Sequence, residues 1–324
     1  MSRTISGKSI LVTGGAGFIG SHLVDRLLQE GAAHVVVVDS LFVGSEDNIA
    51  EAMTTGKVTF YSDDIELMSS LEYIFARHDI DIVFNCATKA LNYSFLNPSN
   101  AFSTNVTGVL NLLELQRLGR FNSLCHFSTS EVYGTAIYEP MDEQHPRLPT
   151  TTYAAGKAAA DLAVESYVRM FDVDAFIVRP FNNYGPRQNH KGLLAGIIPL
   201  TAWRLLNNGT PEIHGTGQQS RDFIYVGDTV DAVVKLFGVL AAGDNVNIST
   251  DNQISVEDLI HRMCAHYGYV GDVLRKEARK SDVLCHNASN EKVKLLIDYQ
   301  LTPFEQGLTM TLDWYRERLT GVCK

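Results

Sequence analysis

No stretch of this chain approaches the ~18 consecutive apolar residues that a membrane-spanning helix needs. Its polar first eight residues lack the charged-then-apolar pattern of a secretion signal. Cysteine is scarce: Cys86, Cys125, Cys264, Cys285 and Cys323 are scattered, odd in number and nowhere spaced as CxxC. This excludes a disulfide framework or a thiolate zinc site and predicts reduced thiols in a cytoplasmic protein. The ten histidines show no ligand spacing either, so no metal is expected. Basic charge is also short. Lys and Arg number 27 against 37 Asp and Glu, a net charge of −10 with no basic run. That argues against nucleic acid or an anionic membrane as a partner. An anionic ligand would have to be held by local devices, such as helix N-termini and a few placed arginines.

What the chain has is an ordinary globular composition, 324 residues with 45% hydrophobic and 20% charged. Its first half alternates short β-branched runs with longer helical stretches. Strands are predicted at 9–13, 35–39, 58–61, 82–86, 123–128 and 174–179, and helices at 18–29, 67–78, 98–117 and 153–171. The rhythm predicts an α/β fold, a doubly wound parallel sheet of Rossmann type with helices on both faces. After residue 180 Gly, Pro and Asn interrupt the pattern. The expected organisation is a nucleotide-binding domain over 1–180 and a smaller C-terminal substrate lobe over 181–324, with 230–240 returning to the first domain. A last helix over 303–319 reads as packing.

Residues 13–20 (TGGAGFIG) follow the first predicted strand and open the first helix. Gly14, Gly17 and Gly20 permit a tight turn, close approach of a pyrophosphate and close packing of helix on strand. Asp39 ends the second strand, 19 residues after Gly20. A carboxylate there accepts hydrogen bonds from both adenosine ribose hydroxyls and repels a 2′-phosphate, which selects NAD over NADP. Tyr153 and Lys157 stand at i and i+4 on one helical face. An ammonium beside a phenol favours the phenolate, so the pair is expected to lower the tyrosine pKa and let it take a proton from a sugar hydroxyl.

Taken in order, 13–20 (TGGAGFIG), Asp64-Ile65, 105–108 (NVTG), 127–134 (FSTSEVYG), 153–157 (YAAGK), 179–186 (RPFNNYGP) and 221–223 (RDF) resemble the extended short-chain dehydrogenase/reductase family, the NAD-dependent sugar-nucleotide epimerases and dehydratases. The resemblance implies a nucleoside-diphosphate sugar as substrate and a homodimer formed through the helices after the fourth and fifth strands. It implies Gly14, Gly17, Phe18, Ile19, Gly20, Asp39, Asp64, Ile65, Ala87, Asn105, Tyr153 and Lys157 around the cofactor. Lys89, Thr129, Asn182, Arg187, Arg221 and Arg279 are expected toward the substrate, Asn182 and Arg221 holding its diphosphate and Arg279 placed to reach it.

The segment Ser128-Thr129-Ser130-Glu131 narrows the reaction. Galactose-type epimerases carry a small residue where Glu131 stands, whereas dehydratases and glucuronate decarboxylases resemble this chain. Oxidation at C4 acidifies the C5 hydrogen, and Glu131 can remove it before the C6 hydroxyl leaves. Glucose-type dehydratases have Asp-Glu here. The Ser130-Glu131 pair is similar instead to GDP-mannose dehydratases and to legionaminic-type dehydratases of UDP-N-acetylglucosamine. Catalytic roles therefore fall to Tyr153, Lys157, Thr129, Ser130 and Glu131. Decarboxylation of a UDP-glucuronate stands as the alternative, with Lys89 as the cation near the carboxylate or pairing with Glu131. C4 epimerisation is the third reading. His126 reads as a core residue, while His190 and Lys191 are candidates for reaching the substrate lobe.

Overall fold

The β-branched runs become parallel strands because the inner ones are apolar on both faces and lie between helices, while the edge run 58–62 is only partly buried. In the computed structural model, which describes residues 3–277 and 287–320, they are β1 (Ser9–Thr13), β2 (His34–Asp39), β3 (Val58–Ser62), β4 (Ile82–Asn85), β5 (Ser123–Phe127) and β6 (Asp174–Pro180). The intervening helices are α1 (Phe18–Gln29), α2 (Ala50–Thr54), α3 (Met68–Phe75), α4 (Pro98–Arg117) and α5 (Thr152–Phe171). Later come β7 (Asn182–Tyr184), α6 (Ile197–Leu206), β8 (Glu212–His214), β9 (Ser220–Arg221), β10 (Phe223–Tyr225), α7 (Val226–Phe237), β11 (Asn245–Ile248), β12 (Ile254–Ser255), α8 (Val256–Tyr267), β13 (Leu274–Lys276), α9 (Glu291–Leu296) and α10 (Phe304–Thr320).

The central sheet has seven strands in the order β3-β2-β1-β4-β5-β6-β11, every pair parallel. The chain order reverses direction between β1 and β4, and a cleft forms there at the carboxyl ends of the strands. The seventh strand is not among those the sequence predicts. Its four residues, Asn-Val-Asn-Ile, are too few and too polar to stand out, and it is recruited by pairing with β6.

Two apolar layers flank the sheet. One joins Leu23, Val24 and Leu27 of α1 to Val230, Val233, Leu236 and Phe237 of α7. The other joins Leu71 and Ile74 of α3, Leu112 and Leu113 of α4, and Ala160 and Val164 of α5. A separate core gathers Ile198, Ala202, Ile213, Leu259, Ile260 and Leu312 from α6, β8, α8 and α10. Helices α4 and α5 touch closely because Gly156 has no side chain. A Cβ at this position would stand 2.8 Å from the Phe102 carbonyl oxygen and 3.1 Å from its Cα. Gly156→Ala is expected to destabilise the fold by about 1–3 kcal/mol through overpacking, read as a lower urea midpoint with an unchanged m-value.

Candidate active site

A cleft of about 570 Å³ runs along the carboxyl edge of the sheet, lined from Gly14 at one end to Arg221 at the other. Its first half is shaped by absent side chains. Gly14 has a φ of +66°, and a Cβ there would be 2.7 Å from the Ala87 nitrogen. One at Gly17 would be 3.0 Å from the Gly14 carbonyl oxygen, and one at Gly20 would overlap that same oxygen. No side chain caps α1 at Gly17. The helix N-terminus therefore opens on a cradle that backbone alone surrounds, the arrangement that receives a pyrophosphate. Asp39 beside it is 8% exposed. Its carboxylate accepts from the Ala16 amide at 3.0 Å and the Leu41 amide at 2.8 Å. Burial raises its pKa, opposed by backbone amides and by the charge of Lys89.

Phe18, Ile19, Gly20, Asp64, Ile65, Ala87 and Lys89 also line the cleft. Asn105 does not: it stands one layer behind, 2% exposed. From there its side-chain oxygen accepts from Thr88 Oγ1 at 2.8 Å and the Lys89 amide at 3.3 Å, bracing the loop after β4. Lys89 is nearly buried, with Nζ 4.0 Å from the Phe42 ring centroid and 4.0 Å from Asp64 Oδ2. Its ammonium thus meets the β2–β3 side of the cleft, where Asp39 and Asp64 attract it.

In the middle of the cleft, Thr151 caps α5 by accepting from the Ala154 amide at 3.2 Å, which sets Tyr153 in the first helical turn. Ser94 fixes the Tyr153 amide at 2.9 Å. The Tyr153 hydroxyl is hydrogen-bonded to the side chains of Thr129 and Thr88 and feels the charge of Glu131. Thr129 also accepts from the Glu131 amide at 3.2 Å, holding the short turn Ser130–Tyr133 at the end of β5. Lys157 is 2% exposed and donates to the Phe127 carbonyl at 2.8 Å. Burial lowers its pKa to about 8, against the charge of Asp161. Tyr153 departs from the sequence expectation. Its pKa is raised to about 12, because burial penalises the phenolate more than the Thr129 and Thr88 hydrogen bonds stabilise it.

At the substrate end, Asn182 and Arg221 line the cleft. The Asn182 side-chain nitrogen is buried without a partner. Arg221 donates to the Ser220 carbonyl at 2.9 Å. Neighbouring Asp222 is occupied by Thr250 and Asp251, at 2.7–3.0 Å. Arg187 is a correction. Its backbone takes a φ of +67°, and its side chain swings to α1, bonding Asp25 at 2.7 Å outside the cleft. His190 packs against Tyr315 instead of reaching the cleft, and Lys191 is exposed. Arg279, like Cys285 and Cys323, lies outside the described residues. His126 is fully buried in β5.

Sequence reasoning missed Thr88, whose only signal is its place just past β4. It also missed an ion pair in the cleft lining between Arg204 and Glu212, 2.8 Å apart. Those two are eight residues apart and joined only by folding. Among the described residues no three His, Cys, Asp or Glu side chains gather as metal ligands, and no helix is long and apolar enough to cross a membrane.

The sequence profile of the family described as GDP-mannose 4,6 dehydratase matches residues 11–310. The chain belongs to this family of extended short-chain dehydrogenases/reductases. Among its relatives, the UDP-glucose 4-epimerase of Mycolicibacterium smegmatis is 32% identical over 95% of this chain and 98% of its own. The UDP-glucuronic acid decarboxylase 1 of Xenopus tropicalis is 31% identical over 96% and 73%. Among solved structures, the dTDP-glucose 4,6-dehydratase of Streptomyces venezuelae with NAD bound superposes with a TM-score of 0.90 at 30% identity, covering 97% of this chain and 98% of that one. The family thus contains lyases and isomerases built on one fold.

Proposed function

We propose that the protein is an NAD-dependent sugar-nucleotide 4,6-dehydratase acting on a UDP-hexose such as UDP-N-acetylglucosamine. The observation that carries this reading is the presence of the Glu131 carboxylate in the same cleft as Thr129, Tyr153 and Lys157, close enough to act on the tyrosine's pKa. Epimerisation has no use for that carboxylate.

The backbone cradle at Gly14, Gly17 and Gly20 fits a pyrophosphate, and Asp39 fits the hydroxyls of an adenosine ribose. Asp64 and Ile65 would border the adenine, and Tyr153 and Lys157 the nicotinamide end. NAD bound there supplies the hydride acceptor for oxidation at C4 and its return at C6. Thr129 and Tyr153 hold the sugar O4, and the Tyr153 phenolate takes its proton. Lys157, as an ammonium, stabilises that phenolate. With C4 a ketone, Glu131 takes the acidified C5 proton. The C6 hydroxyl leaves with a proton as water, and the proton gained by Glu131 is the nearest supply, since the Ser130 hydroxyl is a weak acid; as hydride returns to C6, C5 takes up one proton, which balances the one that Tyr153 removed from O4. Asn182 and Arg221 hold the diphosphate. The meeting of Lys89 with Asp64 and Phe42 removes the cation that the decarboxylase reading needs near C6.

A homodimer through α4 and α5 is part of the proposal, supported by the exposed Phe102, Leu110 and Leu162 on those helices. So is a cytoplasmic setting, which suits the free thiols Cys86, Cys125 and Cys264. The test is mass spectrometry of products from UDP-N-acetylglucosamine, UDP-glucose and UDP-glucuronate. Loss of about 18 mass units, one water from the C5 deprotonation, is expected from one of the hexoses. Loss of about 44 units from the glucuronate would mean decarboxylation, the β-keto acid outcome of the same C4 oxidation. An unchanged mass with a new chromatographic peak would mean epimerisation.

The lowered pKa of Lys157 sets a pH dependence. Its ammonium is present below about pH 8 and lost above it. The plot of kcat/KM against pH is therefore expected to rise with the Tyr153 phenolate and to break near pH 8, above which loss of the ammonium offsets further phenolate formation. A profile that rises through pH 9 would contradict the role given to the ammonium.

A further inference from the structure

Behind Tyr153 and Lys157, the same face of α5 carries Asp161 one turn further on, at i+8 from the tyrosine. Asp161 is fully buried. Its Oδ2 accepts from Arg179 of β6 twice, from Nε at 3.0 Å and Nη2 at 2.9 Å. Its Oδ1 has no hydrogen-bond partner. His126 Nε2, on β5, faces that oxygen at 3.8 Å and also has no hydrogen-bond partner.

The state of His126 is set from the other side. Thr13 Oγ1 donates to Asn85 Oδ1 at 2.6 Å, and the Asn85 amide nitrogen meets His126 Nδ1 at 3.2 Å. An amide nitrogen only donates, so Nδ1 accepts and the ring proton sits on Nε2, directed at Asp161. Burial, together with the charges of Lys157 and Arg179, keeps the ring neutral. A relay of three side chains from β1, β4 and β5 thus points a neutral N–H at one carboxylate oxygen, while Arg179 pins the other.

A carboxylate that only clamped α5 to β6 would need neither a free oxygen nor an oriented histidine. The groups that face Lys157 are Tyr153 and Asp161 from its own helix, Cys86 just past β4, His126 and the Phe127 carbonyl from β5, and Arg179 beyond Asp161. The Cys86 thiol is pushed up by burial and stays neutral. That leaves Asp161 as the carboxylate of this group, and its charge favours the ammonium.

We propose that Asp161 is a positioning residue for the Tyr153–Lys157 pair: pinned on one oxygen by Arg179, it turns its other oxygen to the interior and keeps the buried Lys157 ammonium charged. The proposal rests on the reading of Tyr153 and Lys157 as the proton-transfer pair. Asp161 is not among the residues that line the cleft; its charge is felt by Lys157 and also by Tyr153.

The test is Asp161→Asn, which preserves shape and still offers Arg179 an acceptor. The break in its kcat/KM profile is expected to move down by about one pH unit, as the lysine loses its nearby anion. Asp161→Glu, which restores the charge, is expected to bring the break back. The same shift is read without turnover on the side-chain ammonium signal of 15N-lysine-labelled protein, assigned with Lys157→Met. A folded Asp161→Asn protein with a lowered Tm but an unmoved break would overturn the proposal and leave a structural clamp.

Should Asp161→Asn not fold, Arg179→Gln carries the test. Releasing Oδ2 is expected to raise the lysine titration, and an unmoved titration would overturn the proposal. If the wild-type protein transformed no sugar nucleotide, the functional reading would fail, while the ammonium titration would still decide the role of Asp161.

Discussion

Glu131→Gln is expected to lower product formation by about 10²- to 10⁴-fold, the usual worth of a positioned general base, while NAD binding stays unchanged. Glutamine keeps the size of the side chain, and the Glu131 amide still donates to Thr129 Oγ1, so the Ser130–Tyr133 turn is retained. What disappears is the group that takes the C5 proton. Oxidation at C4 precedes that step and does not need Glu131. The substituted protein is therefore expected to develop absorbance near ~340 nm on mixing with substrate and then stall, separating C4 oxidation from the C5 proton transfer. Loss of a nearby negative charge also removes one cause of the high Tyr153 pKa, so the first step is expected to be no slower. Normal turnover would make Glu131 a bystander and return the choice of reaction to epimerisation.

Tyr153→Phe is expected to cost about as much, roughly 10²- to 10⁴-fold in kcat, but without any absorbance change. Removing the hydroxyl leaves the O4 proton with no acceptor, so the first oxidation fails. The ring is retained, and the Tyr153 amide still donates to its anchor, Ser94 Oγ, at 2.9 Å. Binding of the nucleotide sugar, measured by calorimetry, is expected to stay within a few-fold of wild type, because the diphosphate contacts at Asn182 and Arg221 are untouched. The two substitutions thus divide the proposed reaction at the ketone. Tyr153→Phe stops before it and Glu131→Gln after it.

The parallel sheet was legible because its strands are self-announcing. The segments 35–39 (VVVVD) and 82–86 (IVFNC) are apolar on both faces, as strands covered by helices must be. β11 was not legible, since Asn-Val-Asn-Ile acquires its meaning only by lying beside β6. The phosphate loop and the Tyr153/Lys157 spacing were legible because local geometry alone puts their groups together.

Residues whose role depends on where a long side chain turns could not be read. Arg187 stands in the right motif, but its positive φ sends the guanidinium to Asp25. Lys89 follows β4 as expected, yet two carboxylates and an aromatic ring draw its ammonium toward β2 and β3. The direction of the Tyr153 shift was misjudged for a related reason. Helical spacing gives the neighbour, but burial decides the pKa, and the depth of the cleft is a property of the whole fold.

Dehydration places one demand that neither competing reaction shares: the hydrogen removed from C4 must end on C6. The most direct test uses UDP-N-acetylglucosamine and UDP-glucose carrying deuterium at C4, with the product examined by NMR. The account predicts a 4-keto-6-deoxy sugar in which deuterium has moved from C4 into the C6 methyl group. A product with deuterium still on C4 and that centre inverted would contradict it and establish an epimerase.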